Sequence, residues 1–320
     1  MIIRADGDLH VFAVAMRNRF RSITLREGIL VRGPAGWAEF SPFLDYDDAT
    51  CVPWLRAARE AAYDVWPTPV RDAIPVNCTV PAVGPEQAHG VVCRSAGCRT
   101  AKVKVAEPGQ PESDDLSRVE AVRDALGPDG RIRVDANGGW DVDTAVRMIT
   151  WLDKAAGGLE YAEQPCATVE ELAQVRRRVD VPIAADESIR QAADPYRVVR
   201  HEAADIAVLK VQPLGGVLAA LRIAEQIGLP VVVSSALETS IGIAAGVALA
   251  AALPELPYAC GLATVSMLTA DVVADPLVPV DGALPVVRPE PEPARLAAAA
   301  ADEATRQRWL ERLDRVEGLA

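Results

Sequence analysis

From Pro75 onward the sequence alternates short apolar runs with charged stretches of helical periodicity, and no other feature narrows the fold as much. The runs are IPVNCTV (74–80), TAKVKV (100–105), RIRVDAN (131–137), LEYAEQP (159–165), VPIAADES (181–188), DIAVLKVQP (205–213), LPVVVSSALE (229–238) and LPYACGLAT (256–264). Between them lie segments such as SRVEAVRDAL, DTAVRMITWLD and LAALRIAEQIG, with apolar residues at helical spacing. Strand–helix alternation implies parallel pairing through right-handed crossovers. Eight such runs predict a closed α/β barrel with helices outside. An open doubly wound sheet is the alternative and usually has fewer strands.

The flanking segments differ. Residues 1–73 contain the alternating stretches LHVFAVAM, ITLREGILVRG and GWAEF, then the helical VPWLRAAREAAYDVW, which together predict a small α+β domain. The barrel is expected over 74–275. From 276 the chain is Pro-rich and then helical, so 276–320 is expected to return to the first domain and end as an outer helix.

Charge and composition restrict the partners. A net charge of −12 disfavours nucleic acid and anionic membrane. The longest apolar stretch, IGIAAGVALAAALPEL (241–256), is broken by Pro254 and reads as a buried helix. Charges at Arg4, Asp6 and Asp8 stand where a signal peptide needs an apolar core, so a cytoplasmic protein is expected. No obligatory protein partner is evident. The six cysteines are scattered, and Cys93 with Cys98 is a C-x4-C pattern lacking a second pair, so reduced thiols are expected. His10, His89 and His201 lie too far apart in sequence to suggest a His-rich metal site.

The predicted strands end in chemically active residues. Asp135, Glu163 and Asp186 are 28 and 23 residues apart, about one strand–helix unit each. Consecutive strands therefore bring one carboxylate each to the same rim. Converging carboxylates repel, and a hard divalent cation with oxygen ligands relieves this; Mg2+ fits because it keeps positions open for substrate. Lys102 and Lys104 lie one strand before the acids and, two apart, share a face. Lys210 lies one strand after them. A cation near a substrate carboxylate stabilises the enediolate formed when the adjacent carbon loses a proton, and a lysine with a lowered pKa can take that proton.

KVKV, VDAN, EQP, DES and LKVQPLGG, in this order and spacing, resemble the enolase superfamily, muconate lactonizing enzyme subgroup. GWAEFSPFLDY, NCTVPA, DANGGW and SSALETSIGIAAG resemble, within that subgroup, the actinobacterial o-succinylbenzoate synthase family. The resemblance implies a modified TIM barrel, (β/α)7β-like, with an N-terminal α+β capping domain completed by C-terminal residues. It implies Asp135, Glu163 and Asp186 as Mg2+ ligands, with Mn2+ as a substitute, Lys104 as base and Lys210 opposite it. The implied reaction on a small-molecule carboxylate is dehydration of 2-succinyl-6-hydroxy-2,4-cyclohexadiene-1-carboxylate to 2-succinylbenzoate, a step towards menaquinone. The same polar set serves N-succinylamino acid racemases, epimerases and cycloisomerases. A non-catalytic binding barrel is the reading from another class.

Further residues are expected near the substrate or behind the ligands. Asn137 supports the ligands or forms a turn. Arg133, two before Asp135, reaches a substrate carboxylate through water or pairs with a neighbouring acid. Ser235 and Gly261 offer donors to a carboxylate, and Lys102 joins this group. Glu187 supports Asp186 or finds an outward partner. Specificity is expected from the cap loop at 17–24 and the strand ends at Ser234, Ser235 and Gly261. Arg176, Arg177 and Arg178 are expected on a solvated helix face.

Overall fold

The structure is a computed structural model that describes residues 8–20 and 23–320. Arg4 and Asp6 of the N-terminal reading, and Arg21 and Ser22 of the cap loop, lie outside the described residues.

The N-terminal part is an antiparallel meander of β1 (Leu9–Phe20), β2 (Ile23–Gly33) and β3 (Gly36–Phe40). Alternation puts Phe12, Val14 and Met16 of β1 on one buried face. Helix α1 (Asp48–Tyr63) begins where Asp47 accepts from the Thr50 N–H at 2.8 Å. It buries Cys51, Trp54, Leu55, Ala58 and Ala62, the helical spacing of one stripe.

Next come β4 (Ala73–Pro75), β5 (Cys78–Val80), α2 (Pro85–Cys93), β6 (Thr100–Lys104), α3 (Glu112–Leu126), β7 (Arg131–Asp135), α4 (Val142–Ala156), β8 (Tyr161–Glu163), α5 (Val169–Arg176) and β9 (Ile183–Ala185). They are followed by α6 (Glu187–Arg190), α7 (Arg197–Arg200), β10 (Ile206–Leu209), α8 (Val211–Leu214), α9 (Val217–Ile227), β11 (Val231–Val233) and α10 (Ser240–Ala252). Strands β5 to β11 form one parallel sheet of seven in sequence order. The eighth apolar run forms no full strand. It supplies two parallel bridges instead, Cys260 with Val76 and Gly261 with Ser234, and these join the two ends of the sheet. The result is a closed α/β barrel, with a core of Val, Ile, Ala and Leu between sheet and helices.

The first run, IPVNCTV, splits in two. Ile74 belongs to β4, which pairs antiparallel with β12 (Ala283–Pro285), and only Cys78–Val80 joins the barrel sheet. After α11 (Pro293–Ala298), α12 (Glu303–Glu317) packs into the first domain: Trp309, Leu313 and Val316 share its apolar core with Phe12, Leu30 and Trp54. Arg312 donates to the Phe43 and Tyr46 carbonyls at 2.8 and 2.7 Å. Ala236, Leu237, Ile241, Leu268 and Val272 belong to the same core, so the cap rests on the loops beyond the C-terminal strand ends.

Candidate active site

The ladder register sets the first row of the site. Lys104 pairs with Asp135, and Asp135 with Glu163, across β6, β7 and β8. Asp186 is the residue after β9 and Lys210 the residue after β10. All five residues therefore stand at C-terminal strand ends, where parallel barrels gather their chemistry. Lys102 shares the inward face with Lys104. Asp135, Glu163 and Asp186 are at most 1% exposed.

Each buried ammonium meets an acid. Lys102 Nζ donates to both Glu163 oxygens at 2.8 and 3.0 Å and lies 3.1 Å from Asp135 Oδ2. Lys104 Nζ donates to Asp135 Oδ2 at 2.5 Å and to Asn137 Oδ1 at 2.6 Å. Lys210 Nζ donates to Asp186 Oδ2 at 2.6 Å. Two lysines on one strand face are tolerated because the next two strands bring carboxylates to them.

These contacts separate the protonation equilibria. Burial opposes the charge of Lys102, but Glu163 and Asp135 override it and hold the ammonium well above its ordinary range. Lys104 falls below its ordinary value, chiefly through burial; Asp135 opposes this shift and Lys102 adds to it. Burial alone would raise Asp135 and Asp186. Lys104 and Lys102 instead hold Asp135 well below the usual carboxylate range, and Arg190 and Lys210 do the same for Asp186. Glu163 is pushed up to about 7, by burial first and then by the charge of Asp135. One lysine easier to deprotonate than its neighbour is what acid–base work requires.

The donor set suits a hard divalent ion. Asp135 Oδ1 accepts from the Asn137 N–H at 3.1 Å, and Asp186 Oδ1 from Arg190 Nε at 2.9 Å. Their Oδ2 atoms accept from Lys104 and Lys210, beside a Glu163 raised by burial first and by the charge of Asp135 second. Buried carboxylate oxygens fixed on one side and presented on the other are ligands for Mg2+-like cations. As the side chains stand, no three acidic, imidazole or thiol groups among the described residues are close enough to ligate an ion. The Lys102 ammonium lies between Asp135 and Glu163.

The remaining site residues fall into two groups. Asn137, Ser234, Ser235 and Gly261 line one narrow pocket with Lys102, Lys104 and Lys210. Asn137 adopts a left-handed φ of 47°, which Asn tolerates, and its amide spans Lys104 and Glu187. Ser235 Oγ lies 2.7 Å from Thr264 Oγ1. Gly261 is tight: a Cβ there would stand 2.6 Å from Ser234 Oγ. Arg133 does not line this pocket. It is fully buried, donates to Glu160 Oε2 at 2.5 Å and to the Ala259 carbonyl at 2.7 Å, and lies 4.7 Å from the Tyr161 ring centroid. On the outer layer, Arg176 pairs with Asp205 and Arg178 with Asp143. All six cysteines are free thiols.

Phe20, within the cap stretch 17–24 expected to bear on specificity, brings its ring centroid 5.2 Å from Lys104 Nζ; the structure also adds two residues that the sequence reading did not single out, Arg26 and Arg190. A wider cleft past Arg19, Asp45 and Glu107 shares Phe20, Lys104 and Asn137 with the pocket and opens it outward. Arg26, also from the cap, donates to the Leu237 and Ala236 carbonyls of the pocket wall at 3.0 and 3.3 Å. Arg190 grips Asp186 and Glu187. Its i, i+4 spacing from Asp186 was the available signal; for Arg26, over two hundred positions from Leu237, there was none.

Comparison with known proteins places the chain. An Enolase C-terminal domain-like model matches residues 86–292 and an Enolase N-terminal domain-like model matches 11–62. The o-succinylbenzoate synthase of Thermobifida fusca is 67% identical over 302 residues, covering 94% of this chain and 93% of that protein. That of Mycolicibacterium smegmatis is 59% identical over 305 residues, covering 95% and 94%. The crystal structure of muconate lactonizing enzyme from Pseudomonas fluorescens, complexed with muconolactone, superposes with a TM-score of 0.79 at 21% identity, covering 92% of this chain and 98% of that one, and shows the shared fold. No helix among the described residues is long and apolar enough to cross a membrane. Matched over both domains and sharing most of its residues with close relatives, the chain belongs to the enolase superfamily, in the family of the o-succinylbenzoate synthases.

Proposed function

We propose that the protein is an o-succinylbenzoate synthase, a lyase that dehydrates 2-succinyl-6-hydroxy-2,4-cyclohexadiene-1-carboxylate to 2-succinylbenzoate on the cytoplasmic route to menaquinone. One observation carries the chemistry: Lys104, on β6, and Lys210, after β10, line one pocket beside three buried carboxylates, with three strands between them. Lys104, the amine made easier to deprotonate by burial, removes the proton alpha to the ring carboxylate. The ring C–O bond then breaks, and the departing hydroxide takes the proton back from Lys104 and leaves as water. Lys210, which donates to Asp186 Oδ2 at 2.6 Å, faces the anion from the other side. Asp135, Glu163 and Asp186 would hold the divalent ion that the family implies, Mg2+ or in its place Mn2+. When bound, that ion supplies positive charge against the carboxylate as the alpha carbon loses its proton. The substrate is a small carboxylate, and neither nucleic acid nor a membrane takes part.

The test is turnover of the cyclohexadiene substrate, run beside N-succinyl amino acids, with added Mg2+ and with excess chelator. Rapid formation of 2-succinylbenzoate that chelator abolishes supports the proposal, and full activity in chelator overturns the role of the metal. Two lysines on opposite sides of one pocket also suit a 1,1-proton transfer. Exchange of the alpha proton of N-succinyl amino acids with deuterium from solvent would reveal it.

A further inference from the structure

One guanidinium joins the rim acid Asp186, its neighbour Glu187 and the cap. Arg190, 7% exposed, donates from Nε to Asp186 Oδ1 at 2.9 Å, from Nη2 to Glu187 Oε1 at 2.6 Å and from Nη1 to the Tyr46 hydroxyl at 2.9 Å. Glu187 Oε1 also accepts from Asn137 Nδ2 at 3.0 Å, and Asn137 Oδ1 accepts from Lys104 Nζ at 2.6 Å. One branch therefore ends on a proposed cation ligand and the other on the proposed base. Tyr46 belongs to the cap. Its ring packs edge-on against Phe43 and Trp54, and its carbonyl is held by Arg312 of α12.

We infer that Arg190 is a positioning residue that ties both halves of the catalytic site to the docked cap. It holds Asp186 Oδ1 from behind, so Oδ2 points to the pocket. It holds Glu187, which turns the Asn137 amide so that its oxygen, not its nitrogen, meets Lys104. The Tyr46 hydroxyl occupies the third arm, so the arrangement is complete only when the cap segment before α1 is in place. A planar fork with donors on three sides makes these contacts together; a lysine of equal charge cannot. The inference rests on reading Asp186 as a cation ligand and Lys104 as the base.

The experiment measures Mn2+ affinity by titration of the free-ion electron paramagnetic resonance signal, with kcat, KM and the melting temperature, for the whole chain carrying D186N, R190K or Y46F. R190K keeps the charge and loses the fork, so weaker binding reports position rather than charge. Partners behind metal ligands are typically worth about 10–100-fold in metal affinity or activity, and R190K is expected to weaken Mn2+ and lower kcat by such factors. Y46F removes the hydroxyl that accepts from Arg190 at 2.9 Å and from Gln191 at 3.2 Å and is expected to lower kcat about fivefold, with the melting temperature lowered by only a few degrees. If R190K fails to fold, Y46F decides, and wild-type kcat in Y46F overturns the inference. A folded R190K with wild-type Mn2+ affinity and kcat overturns it as well, whatever its melting temperature. D186N separates the two levels: wild-type Mn2+ affinity in D186N overturns the ligand reading itself, whereas loss in D186N with none in R190K overturns only the role of Arg190.

Discussion

Lys104 and Lys210 occupy different environments in the pocket, and their substitutions should differ in kind. Lys104 lies in a gap between Asp135 and Asn137, under Phe20, with its charge disfavoured by burial. Lys104→Ala removes the proposed base. Proton exchange at the alpha carbon should fall by at least the roughly 10²–10⁴ expected of general base catalysis. Lys210→Arg keeps a positive charge beside Asp186 but replaces a compact ammonium with a wide fork. Mn2+ binding should survive while turnover falls. Exchange rates in deuterated buffer and Mn2+ titrations check both; wild-type exchange in Lys104→Ala would remove the base assignment. This residue set was legible because two periodicities coincide. Period two puts Lys102 and Lys104 on one face, and the strand–helix period returns an acid to the rim in each unit. Arg133 obeys the same period yet places its fork on Glu160 and the Ala259 carbonyl, while its ladder partner Lys102 reaches the rim acids; the period gives the face and not the partner.

At the scale of elements, strand register and helix capping carry the site. The parallel strands, the helices between them and the N-terminal meander followed from hydrophobic periodicity. The eighth run was legible as apolar but not as two bridges, since pairing depends on where the sheet's ends meet and not on local composition. Helix α9 shows the same limit. Its N-cap is Gly216 at φ 124°, which offers no side chain to the first N–H groups. Glu60 of α1 supplies the acceptors from the cap, at 2.6 Å to the Val217 N–H and 3.2 Å to the Leu218 N–H. Helix starts lacking an acceptor lose about 1 kcal/mol. Glu60→Ala should therefore lower the urea midpoint by roughly that energy, while Glu60→Gln, which keeps a carbonyl acceptor, should recover most of it. An unchanged midpoint in Glu60→Ala would show that water caps α9 equally well.

At the scale of the whole molecule, the cap is fixed to the barrel by buried polar groups, and one of them makes the attachment depend on pH. Glu39 of β3 is 4% exposed. Its Oε2 accepts from the Thr239 N–H at 3.0 Å, the Thr239 hydroxyl at 2.5 Å and the Gly242 N–H at 3.2 Å, at the start of α10; its Oε1 accepts from Ser41 at 2.6 Å. Burial raises this carboxyl most; Arg26 pulls it down and Glu238 pushes it up, leaving it at about 7 against an ordinary 4.5. The unfolded chain sheds this proton near its ordinary value, whereas the folded protein keeps it until about 7. The stabilisation linked to the bound proton is therefore complete below pH 4.5, falls as pH rises towards 7, and is lost above it. Each pKa unit is worth about 1.4 kcal/mol, so the loss is on the order of 3 kcal/mol. Other buried acids titrate too, so the measurement is a difference: urea unfolding free energies of wild type and Glu39→Gln, both with chelator, at several values between pH 4.5 and 8. The amide cannot ionise, so wild type should lose stability relative to Glu39→Gln across this window and run parallel to it above about pH 7.5. A difference that stays flat with pH would mean that Arg26, 2% exposed beside it, holds Glu39 ionised throughout.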